Sequence, residues 1–311
     1  MNIKINRNHI SIVLYIFVGL VFTVSAILKY LSIDTFDMYI YDHKLFSISV
    51  TETLTRALIT IECVIGIMLI LNVHRRLAYY TALVFLIGFT VYLFLLPYLF
   101  DVDINNCHCF GESISLSRTE SIIKNIILLA CLIFVSPKLS AVKKWETVVA
   151  IALLTVIFAV IMVVQTPNYL YTVVHKEKIY ADVPLYDLAL FDSGKKEAFT
   201  DGKQIICLYA AQCQFCKKTA AKLHLIMKNR QLDENKVKAI FWAGTPDSLI
   251  YNFFSNQNIL SPEYTTFSVD TFLKITDGRM PLLLFSDNGA IVQKSNFITL
   301  NEKDLVDFLT Q

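Results

Sequence analysis

The amino-acid sequence predicts a membrane bundle of α-helices, a four-helix core plus a fifth linking span, followed by an α/β domain. Three observations carry this expectation. The 311 residues are 55% hydrophobic and only 17% charged, where ordinary soluble domains carry about 25% charged residues, and the mean hydropathy is +0.53. The apolar excess lies almost entirely before Tyr171, and the remainder has an ordinary polar composition. Within that remainder the apolar run Ile205–Ala210 leads into Cys213-Gln214-Phe215-Cys216 and then into a stretch of helical spacing, which reads as buried strand, paired cysteines and helix.

The spans follow in order. Met1–His9 is polar and basic, with Lys4 and Arg7, and Ile10–Leu28 is an uncharged run of 19 residues, long enough to cross a bilayer. A cleaved signal peptide competes here, because Val24-Ser25-Ala26 resembles a cleavage site. The length of the run and the spans after it favour an uncleaved helix. Residues 29–53 form a polar loop with Asp34, Asp37, Asp42 and several aromatics, with room for a short interfacial helix. Spans are expected at 54–71 and 77–96, a loop at 101–117, a short fourth span at 122–135, and a fifth at 147–164 ending near Pro167.

Lys4 and Arg7, Arg75 and Arg76, and Lys138, Lys143 and Lys144 then fall on one side of the membrane, which the positive-inside rule makes the cytoplasm. The expectation is a multi-pass protein of the bacterial inner membrane. Its N-terminus is cytoplasmic, and loops 29–53 and 101–117 and the C-terminal domain are extracytoplasmic. Three segments result: a four-helix domain at 1–136, a basic loop and fifth helix at 137–170, and an α/β domain at 171–311. A net charge of +2 gives no case for a nucleic-acid partner. The expected partners are the lipid bilayer and envelope client proteins that carry cysteines.

In the α/β half the pattern gives a strand at 205–210, a helix at 217–230, a strand at 237–242 and a helix at 247–254. A short strand at 266–269 is weaker. A hairpin joins 282–285 to 290–294 through Asp287-Asn288-Gly289, a good turn sequence. A closing helix at 301–309 is capped by Asn301, and 179–200 adds an N-terminal extension.

Seven cysteines are too few for a disulfide scaffold in a chain of this length, and four of them sit in two close pairs, which suggests redox use. At Cys213 the helix N-terminus favours a thiolate, and the two-residue spacer lets Cys216 reach back to close a disulfide. Cys213 is then the attacking sulfur and Cys216 the resolving one. The segment resembles the thioredoxin superfamily, supported by Met280-Pro281 before the strand-like 282–285. The resemblance implies a cis peptide bond at Pro281 facing the dithiol. The competing reading, half of a zinc site, lacks a second C-x-x-C or a His pair in this half of the chain.

The second pair, Cys107-His108-Cys109-Phe110-Gly111, lies in the 101–117 loop. Cysteines two apart close into a disulfide only through a tight turn, and strained bonds of this kind are more oxidising. Asn105, Asn106 and Gly111 are suitable turn residues. Cys107, Cys109, Phe110 and Gly111, with Glu62-Cys63-Val64-Ile65-Gly66 as a weaker match, make residues 10–136 resemble the MauE/DoxX-like family of four-helix membrane proteins. That resemblance implies disulfide formation of the kind used in maturing an amine dehydrogenase of methylamine metabolism. A thioredoxin-like partner is here fused to the same chain. His108 departs from the small residue usual between the cysteines. The arrangement is also similar to the DsbB and vitamin K epoxide reductase families, which implies a quinone as electron acceptor and no covalently bound cofactor. Tyr92, Phe94, Tyr98 and Phe100 would line its pocket or, more ordinarily, form an interfacial aromatic belt.

Other residues leave alternatives open. Glu62, the one carboxylate inside a span, is either a proton carrier or a protonated carboxyl hydrogen-bonded across the bundle to Asn125. Cys63 and Cys131 are either small buried hydrophobes, the simpler reading, or a transmembrane electron relay. Cys207 is a packing residue. A Cys107-His108-Cys109 metal site is awkward, because three adjacent ligands crowd one tetrahedral ion.

The sequence thus points to a membrane-anchored thiol–disulfide oxidoreductase in which Cys213, Cys216, Cys107 and Cys109 are catalytic. Met280, Pro281 and Glu62 support them, and no metal is expected. The alternatives are a reductive relay carrying electrons outward, and a factor delivering a soft metal ion.

Overall fold

A computed structural model describes residues 7–99, 107, 109–112, 114–135, 144–175, 202–256, 259 and 261–310. Lys4, Phe100, Asn105, Asn106, His108, Lys138, Lys143 and the expected 179–200 extension lie outside the described residues. The chain divides into two compact units. One holds the chain up to Phe46 with Val50–Pro167, and the other Asn168–Gln311 with Ser47–Ser49.

The first unit is helical: α1 (Arg7–Leu31), α2 (Ile33–Asp42), α3 (Ile48–Leu71), α4 (Arg75–Leu99), α5 (Arg118–Phe134) and α6 (Lys144–Val164). Every expected span is a helix, and α2 is the short helix of the 29–53 loop. The helix α3 starts at Ile48, ahead of the expected Leu54, because its polar first turns are buried: Thr51, Glu52, Thr55 and Arg56 are all at most 3% exposed. Arg56 reaches Asp37 of α2 at 3.2 Å.

Among the described residues, α1, α3, α4 and α6 are long and apolar enough to cross a membrane. The 17 residues of α5 make a rod of about 25 Å, the short end of what a bilayer requires. One apolar cluster joins Val18, Phe22, Ile65, Ala82, Leu128 and Ala150 from α1, α3, α4, α5 and α6. The outward faces stay apolar, with Val84, Ile133 and Val163 exposed, as a lipid solvent permits. Gly19 and Gly66 let α1 and α3 touch, since a Cβ on either would sit 2.8 Å from the other's carbonyl oxygen.

The second unit opens with α7 (Asn168–His175) and contains β1 (Lys203–Leu208), α8 (Gln214–Arg230), β2 (Val237–Trp242), α9 (Asp247–Ser255), β3 (Glu263–Phe267), α10 (Val269–Thr276), β4 (Leu282–Asp287), β5 (Ala290–Ser295) and α11 (Glu302–Thr310). The strand order is β3-β2-β1-β4-β5. The strands β1, β2 and β3 run parallel, and β4 and β5 antiparallel to their neighbours. This is the thioredoxin-like arrangement, with β1 central and buried along its apolar run.

The strand expected at 266–269 is corrected. β3 ends at Phe267, and Val269 begins α10, because the Ser268 side chain accepts the Thr271 N–H and caps a helix. Asn301 accepts the Lys303 N–H at 3.0 Å at the head of α11, as its cap position requires.

Candidate functional site

In the second unit Cys213 and Cys216 sit where β1 hands over to α8. A bond from the Cys213 N–H to the Ala210 carbonyl (3.0 Å) turns the chain after the strand. Cys213 is the N-cap of α8, and its Sγ accepts the Cys216 N–H at 3.3 Å. The first turn of a helix leaves such N–H groups without backbone partners. Cys216 is wholly buried, with its Sγ accepting the Ala210 N–H at 3.4 Å. Both thiols are free. Burial pushes the Cys216 thiol well above the ordinary range, and the Ala210 N–H offsets only part of this. Cys216 therefore keeps its proton at neutral pH, and Cys213, partly exposed, is the sulfur a partner can reach.

The Met280–Pro281 bond is cis, as expected. Leu208 pairs with Leu282 across antiparallel β1 and β4. The chain leaving β1 toward Cys213 and the chain entering β4 from Pro281 thus lie at one end of the sheet. Burial also lifts Cys207 to about 12, in keeping with a packing role.

In the helical unit Cys107 and Cys109 are joined in a disulfide. The Cys107 N–H bonds the Leu116 carbonyl (3.0 Å) and Phe110 bridges Ile114, closing the loop on itself. Gly111 adopts φ +65°, and a Cβ there would lie 2.6 Å from the Leu28 carbonyl at the end of α1. The glycine therefore lets the loop lie directly on that helix. The disulfide is buried, at 1% and 2% exposure for its two residues. Ser121 of α5 touches both sulfurs, at 2.7 Å from Cys107 Sγ and 3.3 Å from Cys109 Sγ.

Glu62 does not reach Asn125, contrary to one expectation. Its partner is Lys29, whose Nζ donates to Oε2 at 2.6 Å, both side chains being at most 10% exposed. Asn125 donates instead to Thr90 at 3.1 Å. Ser25 Oγ lies 2.7 Å from both Glu62 Oε1 and the Cys109 carbonyl, so this ion pair is tied to the disulfide loop. A second network links Tyr39 OH to Tyr92 OH (2.8 Å) and Tyr92 OH to His43 Nε2 (2.6 Å). Both networks and the disulfide border one cavity of about 230 Å³. Cys63 and Cys131 are free and pack into different apolar clusters, which gives no support to a relay between them.

Sequence reading missed Lys29, Ser25, Ser121, His43 and the hydrogen bond from Tyr39 to Tyr92; Tyr92, named there as a pocket-lining or belt aromatic, lines the cavity, whereas Phe94 and Tyr98 are exposed. Lys29 was the one with a visible signal, a charge at the end of an apolar run on the side where Glu62 needs a partner.

Residues 7–137 match the model of the family described as methylamine utilisation protein MauE. The chain is also similar to Protein TlpB of Flavobacterium psychrophilum, at 24% identity over 98% of this chain and 96% of that protein. The MauE match covers α1 to α5 and the Cys107–Cys109 loop, so the MauE resemblance read from Cys107, Cys109, Phe110 and Gly111 holds. The protein is a multi-pass membrane protein with a MauE-like helical unit, a thioredoxin-like unit and a close pair of cysteines in each.

Proposed function

We propose that the protein is a membrane-anchored thiol–disulfide oxidoreductase of the bacterial cell envelope, with both cysteine pairs on the extracytoplasmic side. The observation that carries the reading is the contrast in state and access. One unit holds a free dithiol with an accessible Cys213 and a buried, protonated Cys216. The other holds a buried disulfide beside a network of charged and hydroxyl groups.

A reduced client first transfers its electron pair to oxidised Cys213–Cys216. The Cys213 thiolate then attacks one sulfur of Cys107–Cys109, breaking that bond and forming a mixed disulfide. Cys216 gives up its proton and attacks Cys213 Sγ, regenerating Cys213–Cys216 and leaving Cys107 and Cys109 reduced. Two electrons pass, and the two protons lost by the dithiol are those gained by the second pair. Because Cys107 and Cys109 are buried, their loop has to open for the exchange. Phe215, 58% exposed between the two cysteines, offers client chains an apolar contact. Carrying both pairs on one chain raises their effective concentration. The MauE-like unit favours maturation of a disulfide-bearing envelope protein as the task.

Trapping tests the reading. In a Cys216→Ser variant expressed in membranes, a mixed disulfide from Cys213 to Cys107 or Cys109 should accumulate and be found by peptide mass spectrometry. Its absence, with Cys213 still able to trap other thiols, would remove the relay.

A further inference from the structure

A thiolate can open the Cys107–Cys109 bond at either sulfur, and the surroundings of the two sulfurs differ. Ser121 is wholly buried, and its Oγ lies 2.7 Å from Cys107 Sγ against 3.3 Å from Cys109 Sγ. A disulfide sulfur carries no proton, so the hydroxyl is the donor in the closer contact. Cys109 Sγ faces an acceptor instead, the Cys107 carbonyl oxygen at 3.8 Å. Negative charge is therefore favoured on Cys107 and disfavoured on Cys109.

The nearby charges point the same way. Lys124 follows Ser121 by one turn of α5 and is half-buried, with its Nζ 4.7 Å from the centre of the Phe110 ring. It lines the same cavity as both sulfurs. Glu62, the one carboxylate among the described residues of that lining, is already paired with Lys29. Burial lowers the His43 imidazole below its ordinary value, so His43 adds no charge at neutral pH. While the disulfide is closed, this wall carries one net positive charge. A charge enclosed without a counter-ion is costly, and a thiolate formed on opening supplies the counter-ion.

We propose that Ser121 and Lys124 hold the negative charge of a Cys107 thiolate, which makes Cys107 the sulfur released and Cys109 the sulfur attacked when the disulfide is opened. The step balances. The incoming thiolate forms a bond to Cys109 Sγ, the Cys107–Cys109 bond breaks, and its electron pair leaves on Cys107 Sγ. No proton moves in this step. Cys107 later takes up the proton that the attacking thiol gave up. A sulfur that bears charge more readily leaves faster, and stabilising the reduced pair makes its disulfide more oxidising. The inference rests on the exchange reading of this disulfide and extends it by naming the sulfur attacked and the residues that decide it.

The full-length protein carrying Cys213→Ser and Cys216→Ser, held in lipid discs, reports on the membrane pair alone. Benzyl mercaptan, a small apolar thiol, is added, the mixture is quenched in acid, and the adduct is located by peptide mass spectrometry. It should sit on Cys109, with Cys107 free, in about tenfold excess over the reverse arrangement. In the reduced protein the pH midpoint of Cys107 alkylation should rise by about one unit in Lys124→Met and in Ser121→Ala, and return in Lys124→Arg. Helix content and melting temperature identify a variant that fails to fold, and the adduct position in the parent needs no change at Ser121 or Lys124. An adduct chiefly on Cys107, or an unchanged midpoint in a folded Lys124→Met or Ser121→Ala protein, would overturn the assignment. If benzyl mercaptan is found on Cys109 while Cys213 of the Cys216→Ser protein is trapped on neither cysteine, the assignment stands and the relay fails.

Discussion

The two cysteine pairs solve opposite problems. Cys213 caps a helix and is partly exposed while Cys216 is sealed beneath it, so the pair presents one sulfur outward and hides the other. Cys107 and Cys109 sit in a turn that folds over α1 and α5, and both are buried. A helix N-terminus separates attacker from resolver through burial alone. A two-residue turn cannot, because neighbouring sulfurs share one environment. In the second case the surroundings supply the asymmetry: Ser121 nearer Cys107, and the Ser25–Glu62–Lys29 network behind the Cys109 carbonyl. One pair is arranged for access and the other for enclosure.

The contrast is broken most directly by accessibility. In the native protein a small hydrophilic reductant should open an oxidised Cys213–Cys216 bond at least a hundredfold faster than the Cys107–Cys109 bond, with the difference vanishing in denaturant. Equal native rates would show that the membrane pair is not enclosed. The next effect concerns the buried ion pair. Lys29→Met alone leaves the Glu62 carboxylate without its partner and should cost about 3–5 kcal/mol, whereas Lys29→Met with Glu62→Leu should be far milder. Reversible unfolding in mixed detergent would measure both. A double variant as damaging as the single one would mean that the pair is not acting as a unit.

The elements were legible where the pattern was long or the chemistry local. The spans and the β1–cysteine–α8 junction follow from apolar runs and a spacing, and the cis bond before β4 from the thioredoxin resemblance that Met280-Pro281 supports. Helix α10 was not, because β-branched Val269 was read as the end of a strand at 266–269, while the deciding contact is the single Ser268 cap. The disulfide loop was found from Cys107 and Cys109, but its surroundings were not. Ser25, Lys29, Tyr39, Tyr92 and Ser121 come from four different helices and meet only through packing. The sequence marks such residues as single polar positions near span ends, with nothing to say which of them face one another.

A smaller effect sharpens the difference between buried and reachable thiols inside the thioredoxin-like unit. Cys207 is held at about 12 by burial, above the roughly 8.5 of an unfolded thiol. The raised native value means that the folded state holds its proton longer than the unfolded one. Stability is therefore full below about pH 8.5 and falls as pH rises through the window toward 12, by about 2 kcal/mol at pH 10. With Cys213–Cys216 oxidised, so that Cys216 does not titrate, Cys207→Ala should lower stability near neutral pH yet flatten this slope, so that the two proteins converge as pH rises. An unchanged slope would assign it to other groups.

The smallest expected effect separates the two roles of Cys213. The helix that follows the membrane pair, α5, is capped by Ser117, whose side chain accepts the Glu120 N–H while Glu120 accepts the Ser117 N–H at 2.8 Å. The helix α8 is capped by Cys213 itself. A serine at 213 would keep a good capping oxygen, whereas an alanine would leave the Cys216 N–H without that acceptor. In the reduced protein Cys213→Ser should fold with close to wild-type stability, and Cys213→Ala should lose about 1 kcal/mol, matching Ser117→Ala at the other helix. Both Cys213 variants should be equally inactive in exchange. If serine and alanine prove equally stable, the sulfur–amide contact contributes nothing to the helix, and the position of Cys213 serves reactivity alone.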